Sequence, residues 1–98
     1  MDVVFADPDL ARIETDEAAQ MRLPVGVIKS ARRKLALLRA APDERSLRNW
    51  KSLHFEKLKG DRDGERSIRL NDQYRMILTL DGDAASLTAT IKSIEDYH

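Results

Sequence analysis

The sequence contains no cysteine, which excludes a disulfide framework and any metal site built from thiolates. Its two histidines, His54 and His98, have no spacing typical of a zinc site. The four glycines form neither a Walker loop nor a GxGxxG motif, and no Gly-x-Ser-x-Gly elbow is present. We therefore expect no metal and no other cofactor.

Long hydrophobic runs are also absent. The longest apolar stretches have four to six residues, whereas a membrane-spanning helix needs roughly 20. The N-terminus lacks the layout of a signal peptide. With 98 residues, 42% of them hydrophobic, the chain is predicted to form one domain over residues 1–98. These features predict a soluble cytoplasmic protein without a membrane partner.

The net charge is zero, but the charges are unevenly distributed. Residues 1–21 contain six acids and one arginine (−5), residues 22–75 contain 15 bases and seven acids (+8), and residues 76–98 contain four acids and one lysine (−3). A basic middle section can present a surface for a polyanion. Composition alone favours the other interpretation, a solvated surface of mixed sign.

The first half of the sequence has the patterns of one strand and two helices. The run Val3–Phe5 predicts a strand, and Asp7 followed by Pro8 is typical of a helix start. A second helix is predicted between Pro24 and Pro42, because apolar residues recur there at intervals of three and four. These residues are Ile28, Ala31, Leu35 and Leu38. Residues 44–50 allow about one further helical turn, with Leu47 and Trp50 able to share a side.

The second half changes to a two-residue period, which is the period of strands. Strands are predicted at residues 65–70, at 74–80 and from 87 towards the C-terminus. Turn-forming residues precede each strand, at 60–64, 71–73 and 81–83. Helices followed by a meander predict an α+β fold, with an N-terminal strand and two helices packed on one face of an antiparallel sheet.

The hairpin around residues 71–73 has a predictable register. Only a three-residue loop places all apolar partners on one face of the sheet, and this loop sets Arg69 opposite Arg75 on the side away from the helices. Like charges at this position destabilise a sheet, so the pair needs an explanation. Two guanidinium groups at this spacing suit a phosphate. Alternatively, nearby acids such as Glu65 or Asp63 neutralise them.

Further candidates lie before this hairpin and at the C-terminus. Lys57, Lys59 and Arg62 add positive charge, either as an RNA-contacting surface or as an ordinary soluble turn. His54 is either a partly buried strand residue or a proton carrier. His98, beside Asp96 and Tyr97, could transfer protons in phosphodiester cleavage, or could be a frayed end.

Three of these segments resemble the HigB branch of the RelE-like toxins. Residues 58–64 read LKGDRDG, residues 67–76 read SIRLNDQYRM, and residues 95–98 read EDYH. The family pattern is approximately L-K-G-D-R-x-G, S-I-R-[VIL]-N-x-x-[WY]-R-[IM] and a terminal D-Y-H. The resemblance in motifs covers roughly the second half of the chain, and the first half agrees in layout.

The resemblance implies a RelE-like fold and a toxin of a type II toxin–antitoxin system. Such a toxin is expected to be a ribosome-dependent mRNA endoribonuclease, in which the ribose 2′-OH attacks the adjacent phosphate and translation is inhibited. Its implied partners are the ribosome, mRNA and a HigA-type helix-turn-helix antitoxin, with DNA contacted only through the antitoxin complex. The alternative is a non-cleaving toxin of the same fold, such as a ParE-like protein that binds gyrase.

Matched motifs also imply roles for individual residues. His98 is expected to transfer protons, with Asp96 and Tyr97 orienting it or positioning the nucleotide, and Arg75 is expected to stabilise the transition-state phosphate. Some family members place a catalytic histidine two residues before the leucine of L-K-G-D, where this chain has Glu56. The expected RNA contacts are Arg69, Lys59, Lys57, Arg62 and His54. Separately, a basic helix face is expected to contact ribosomal RNA through Arg32, Arg33 and Lys34.

Overall fold

The computed structural model describes residues 1–83 and 85–96 of the chain. These residues contain a five-stranded sheet in the order β1-β5-β4-β3-β2. The strands are β1 (Asp2–Phe5), β2 (Glu56–Lys57), β3 (Glu65–Arg69), β4 (Tyr74–Asp83) and β5 (Ser86–Asp96). Strand β1 is parallel to β5, and the other neighbouring strands are antiparallel. The predicted α+β class is confirmed, with one parallel pair in a mostly antiparallel sheet.

The helices lie mainly in the N-terminal half. The α-helices are α1 (Val25–Ala40) and α2 (Glu44–Asn49), and short 3₁₀ segments occur at Pro8–Glu14, Ala18–Met21, Lys51–Leu53 and Gly60–Arg62. The first predicted helix begins where expected, since Asp7 caps it by accepting a hydrogen bond from the Asp9 amide. It is a 3₁₀ helix, however. Its inward-facing residues Leu10 and Ile13 are three apart, the spacing that aligns side chains in a 3₁₀ helix.

The main core lies between α1 and one face of the sheet, called here the inner face. Helix α1 buries the four apolar residues predicted for it. The sheet contributes Ile68, Met76, Leu78, Ala89 and Ile91 to the same cluster. Leu47 of α2 is buried, whereas Trp50 follows the end of that helix and is 38% exposed. The expectation that Leu47 and Trp50 share a side is therefore wrong.

The β3–β4 hairpin has the predicted register, with Arg69 opposite Arg75 and Ile68 opposite Met76. The side-chain oxygen of Asn71 accepts hydrogen bonds from the amides of Gln73 (2.8 Å) and Tyr74 (2.7 Å). These bonds hold the three-residue loop.

The β4–β5 pair differs from the prediction in two respects. The strands continue to Asp83 opposite Ser86, so the turn lies beyond the predicted residues 81–83. A β-bulge interrupts β5 at Lys92, because Ile77 pairs with Ser93 and Leu78 with Ile91. The alternation of side chains between the two faces of the sheet therefore shifts by one residue at the bulge.

The N-terminal segment is attached to α1 through polar groups. The amino group of Met1 donates to the carbonyl oxygens of Leu38, Arg39 and Ala41 at the end of the helix. Arg32 donates to the carbonyl oxygens of Ile13 (2.6 Å) and Thr15 (2.8 Å). Arg32, an expected RNA contact, thus uses part of its guanidinium group to hold the first 3₁₀ helix.

The opposite face of the sheet, called here the outer face, is not simply solvated. Ile77 points to this face and is fully buried, although it lies outside the main core cluster. Arg62 crosses the face: its Nε donates to Glu65 of β3 (2.7 Å), and both terminal nitrogens donate to Glu95 of β5 (2.8 and 2.6 Å). Glu65 pairs with Thr79 and Glu95 with Arg75, so Ile77 lies between the two carboxylates. We call this arrangement the Arg62 bridge.

The tight end of the β4–β5 hairpin yields a stability prediction. Gly82 has a φ of +104°, and a Cβ there would lie 2.1 Å from the Ser86 carbonyl oxygen. Gly82→Ala should therefore reduce the free energy of unfolding by more than about 1 kcal/mol. The control is Gly26→Ala in α1, where a Cβ has no neighbour within 4 Å. Urea denaturation should show that variant at or slightly above wild-type stability; equal effects would contradict the prediction.

The Arg62 bridge yields a pH prediction. Hydrogen bonds from Arg62 and then from Ser93 lower the pKa of Glu95 from 4.5 to about 2. The folded state thus keeps Glu95 ionised at a pH where the unfolded chain protonates it, so this contribution is complete above pH ~4.5 and is lost as the pH falls towards ~2.

Glu95→Gln should therefore flatten the decline of unfolding free energy between pH 4.5 and 2, measured by denaturation at each pH. Glu17→Gln is the control, since it removes a carboxylate from an exposed pair with Arg12. Its profile should stay parallel to that of the wild type, and a Glu95→Gln profile that also stays parallel would refute the proposed linkage.

Candidate active site

Arg75 lies on the outer face in β4, between Arg69 of β3 and Glu95 of β5. Its side chain is only 12% exposed. The Nε atom donates to the Ser67 hydroxyl (2.9 Å), and Nη2 donates to the carbonyl oxygen of His54 (2.6 Å). Ser67 is fully buried, so the chain fixes the guanidinium group through a rigid hydroxyl and a main-chain oxygen.

Glu56 is the carboxylate that approaches Arg75 from β2. Its Oε1 lies 3.9 Å from Nη2 of Arg75, and the residue is in register with Ser67. The Glu56 side chain is 60% exposed, so an incoming ligand can reach it. Sequence reasoning assigned no function to Glu56 or Ser67. The one signal in the sequence that could have pointed to Glu56 is its position, since some members of the resembled family have a catalytic histidine there.

Arg69 and Arg75 lie opposite each other, as predicted, but their guanidinium groups interact in different directions. Arg69 pairs with Asp72 and donates to the carbonyl oxygen of Asn71, both in the hairpin turn. Arg75 instead extends towards β2. Of the acids named from the sequence, Glu65 pairs with Arg62 instead. The two arginines therefore do not converge on a single phosphate.

The other predicted RNA contacts are dispersed. Arg62 belongs to the bridge, where Nε, Nη1 and Nη2 all donate to the carboxylates of Glu65 and Glu95. Lys57 is in register with Arg66, so strand alternation directs it away from the Arg75 side. Lys59 is exposed at the start of the Gly60–Arg62 segment. The His54 side chain is exposed, while its carbonyl oxygen contacts Arg75.

The C-terminal motif is described only as far as Asp96. This residue pairs with Tyr74 and accepts a hydrogen bond from the Gln73 side chain at 2.8 Å. Strand β5 thus brings the start of the motif to the end of β4 that contains Arg75. Tyr97 and His98, the predicted orienting and proton-transfer residues, lie outside the described residues.

The exposed carboxylate of Glu56 is the accessible group beside Arg75. Two surface cavities of about 540 and 430 Å³ lie at the β1 edge, lined in part by Met1 and Asp2, and neither includes Arg75. In the part of the chain that the structure describes, no three metal-ligating side chains are grouped for an ion. No helix of that part is long and apolar enough to cross a membrane. A fixed guanidinium group beside an exposed carboxylate suits a phosphate of a ligand that approaches from β2.

Solved structures with the same fold are toxins. A YoeB/ParE toxin from Agrobacterium tumefaciens has a TM-score of 0.63 at 15% identity, with both chains covered completely. A YoeB–YefM complex from Staphylococcus aureus has a TM-score of 0.56 at 22% identity, covering 100% of this chain and 97% of that one. These similarities establish the RelE/YoeB-like fold.

Sequence comparison extends the similarity to a family. Toxin HigB-1 of Vibrio cholerae serotype O1 is 36% identical over 77 residues, which are 79% of this chain and 81% of that protein. The family described as RelE-like toxin of type II toxin-antitoxin system HigB matches residues 3–97. The chain therefore belongs to the HigB-like family of RelE-like toxins of type II toxin–antitoxin systems.

Proposed function

We propose that this protein is a ribosome-dependent mRNA endoribonuclease, an mRNA interferase that inhibits translation. The observation that supports the proposal is the fixed guanidinium group of Arg75, held by Ser67 and His54 beside the exposed carboxylate of Glu56. A group fixed before the substrate arrives stabilises developing charge without reorganising during the reaction. Membership of the HigB-like family supplies the substrate class.

The proposed reaction uses the nucleophile of the RNA itself. The 2′-OH attacks the adjacent phosphorus, the bond from phosphorus to the 5′-oxygen breaks, and a 2′,3′-cyclic phosphate and a 5′-hydroxyl result. Negative charge increases on the non-bridging oxygens in the transition state, where Arg75 can donate hydrogen bonds. Neither nucleophile activation nor charge stabilisation requires a metal in this scheme.

Two residues are proposed to transfer protons. Glu56 is the proposed base that removes the proton of the 2′-OH, because its accessible carboxylate lies 3.9 Å from the Arg75 guanidinium group. His98 is the proposed acid that protonates the leaving 5′-oxygen, with Asp96 and Tyr97 orienting it. The assignments of His98 and Tyr97 derive from the C-terminal motif.

The proposed partners follow from the family. The toxin would be inhibited by a HigA-type antitoxin with a helix-turn-helix domain and would contact DNA only through that complex. On the ribosome, the proposed phosphate contacts are the basic residues Lys57, Lys59, Arg33 and Lys34. Arg32 and Arg62, in contrast, hold parts of the fold together.

Arg75→Ala should reduce mRNA cleavage by about 10²–10³-fold, the usual cost of removing one group that stabilises a transition-state oxyanion. Arg69→Ala is the matched control from the same hairpin and should lose much less, because its guanidinium group is already paired with Asp72. Primer extension on a reporter mRNA with purified ribosomes measures both, and melting curves report the fold.

Full cleavage by Arg75→Ala would remove Arg75 from the mechanism. A folded wild-type protein that cleaves no ribosome-bound mRNA would instead favour the non-cleaving, ParE-like alternative.

The proton-transfer assignment predicts a loss of rate at either residue. Glu56→Gln and His98→Ala should each reduce the cleavage rate by about 10²–10⁴-fold, the usual contribution of a positioned proton-transfer group. Single-turnover cleavage on saturating ribosomes measures both rates, and melting curves report the fold.

The two outcomes that contradict the assignment are distinct. A Glu56→Gln variant as fast as the wild type would mean that Glu56 serves only as a counter-ion for Arg75. Undiminished cleavage by His98→Ala would remove the C-terminal acid.

A further inference from the structure

The structure assigns to His54 a positioning role that it performs through its main chain: its carbonyl oxygen, oriented by a left-handed backbone, fixes the guanidinium group of Arg75. The inference rests on the proposed function of Arg75. It replaces the expectation that the His54 imidazole contacts RNA or carries a proton.

The backbone of His54 has an unusual conformation. Its φ of 45° and ψ of 49° lie in the left-handed region, where few residues other than glycine are found. The amide of His54 closes the 3₁₀ turn by donating to the Lys51 carbonyl oxygen at 3.1 Å. Since ψ sets the direction of a residue's own carbonyl, the extended value of about 135° would turn this oxygen away by roughly 90°. The left-handed conformation therefore sets the 2.6 Å contact with Arg75.

Both neighbours of His54 hold this conformation in place. Leu53 is fully buried, and Phe55 packs against the main core. A sparsely populated backbone conformation persists only when surrounding structure determines it, and such residues cluster at functional sites. Here the two hydrophobic neighbours fix the chain on either side, and the strained residue between them directs its oxygen towards Arg75.

The His54 side chain has no comparable role. The imidazole is exposed and makes no hydrogen bond to another described residue. Histidine, asparagine and aspartate are enriched among non-glycine residues in left-handed conformations, whereas β-branched residues are true outliers there. Position 54 thus requires a residue that permits left-handed backbone angles.

Four variants separate a role of the His54 main chain from a role of its imidazole: His54→Gly, His54→Asn, His54→Ala and His54→Val. If the main chain matters, Gly and Asn should cleave fastest, Ala should be intermediate and Val slowest, with roughly 10²-fold between Gly and Val because a misplacement near 1 Å costs about that much. The loss should appear in the single-turnover rate on saturating ribosomes and not in ribosome affinity. If the His54→Val variant does not fold, the comparison of His54→Gly with His54→Ala decides between the main chain and the imidazole.

A second readout does not depend on cleavage. The ¹⁵N–¹H cross-peak of the Arg75 Nε, identified by its absence in Arg75→Lys, reports the bond to Ser67. It should stay near its wild-type position in His54→Gly and His54→Asn, and shift or broaden in Ala and Val.

The outcomes are distinguishable. Equal loss of cleavage in all four variants with an unmoved cross-peak would overturn the inference in favour of the imidazole. Equal retention in all four would overturn it outright. If the wild type cleaves nothing, the proposed function fails, and the cross-peak series alone then decides whether His54 positions Arg75.

Discussion

The turn between β3 and β4 determines which side of the sheet holds the candidate active site. The Asn71 side chain accepts two amide hydrogen bonds and so fixes a three-residue loop. With that loop, Ile68 and Met76 face the core, and Arg75 faces outward over the buried hydroxyl of Ser67. Because side chains alternate with a period of two, a slip of one residue would exchange the two faces. The core and the candidate active site thus depend on the same hydrogen bonds.

A second constraint is that the outer face is partly closed. The Arg62 bridge connects β3 to β5 across β4 and covers Ile77. The resulting surface is neither a hydrophobic core nor an open solvated sheet. On it, the Arg75 side chain is only 12% exposed and yet lies beside the accessible carboxylate of Glu56. Guanidinium groups serve here in two ways: Arg62 holds strands together, and Arg75 is held by them.

The parts of the structure that follow from periodicity could be predicted from the sequence. The apolar face of α1, the order of helices and strands, and the opposition of Arg69 and Arg75 all come from patterns within a few residues. The partners of the charged groups could not be predicted in this way. Arg62 and Glu95 are 33 residues apart, and many acids in the sequence could equally have paired with Arg62.

Main-chain contacts are even harder to predict from a sequence pattern than the partners of charged side chains. The carbonyl oxygen of His54 would be present whatever residue occupied the position, so nothing in the side-chain sequence points to its contact with Arg75. The proximity of Glu56 to that arginine likewise depends on how the short edge strand β2 pairs with Ser67. Sequence reasoning therefore proposed Arg75 as a candidate but could not identify the groups that orient it.

The bulge at Lys92 gives β5 two phases. Before it, Ala89 and Ile91 face the core; after it, Ser93 and Glu95 face the bridge while Ile94 packs inward. A strand with the same residues but no bulge would turn Glu95 towards the core and Ile94 towards Arg62, because residues three apart in a regular strand face opposite sides. The one unpaired residue, Lys92, is thus what lets Ile91 and Ile94 share the inner face while Glu95 reaches Arg62.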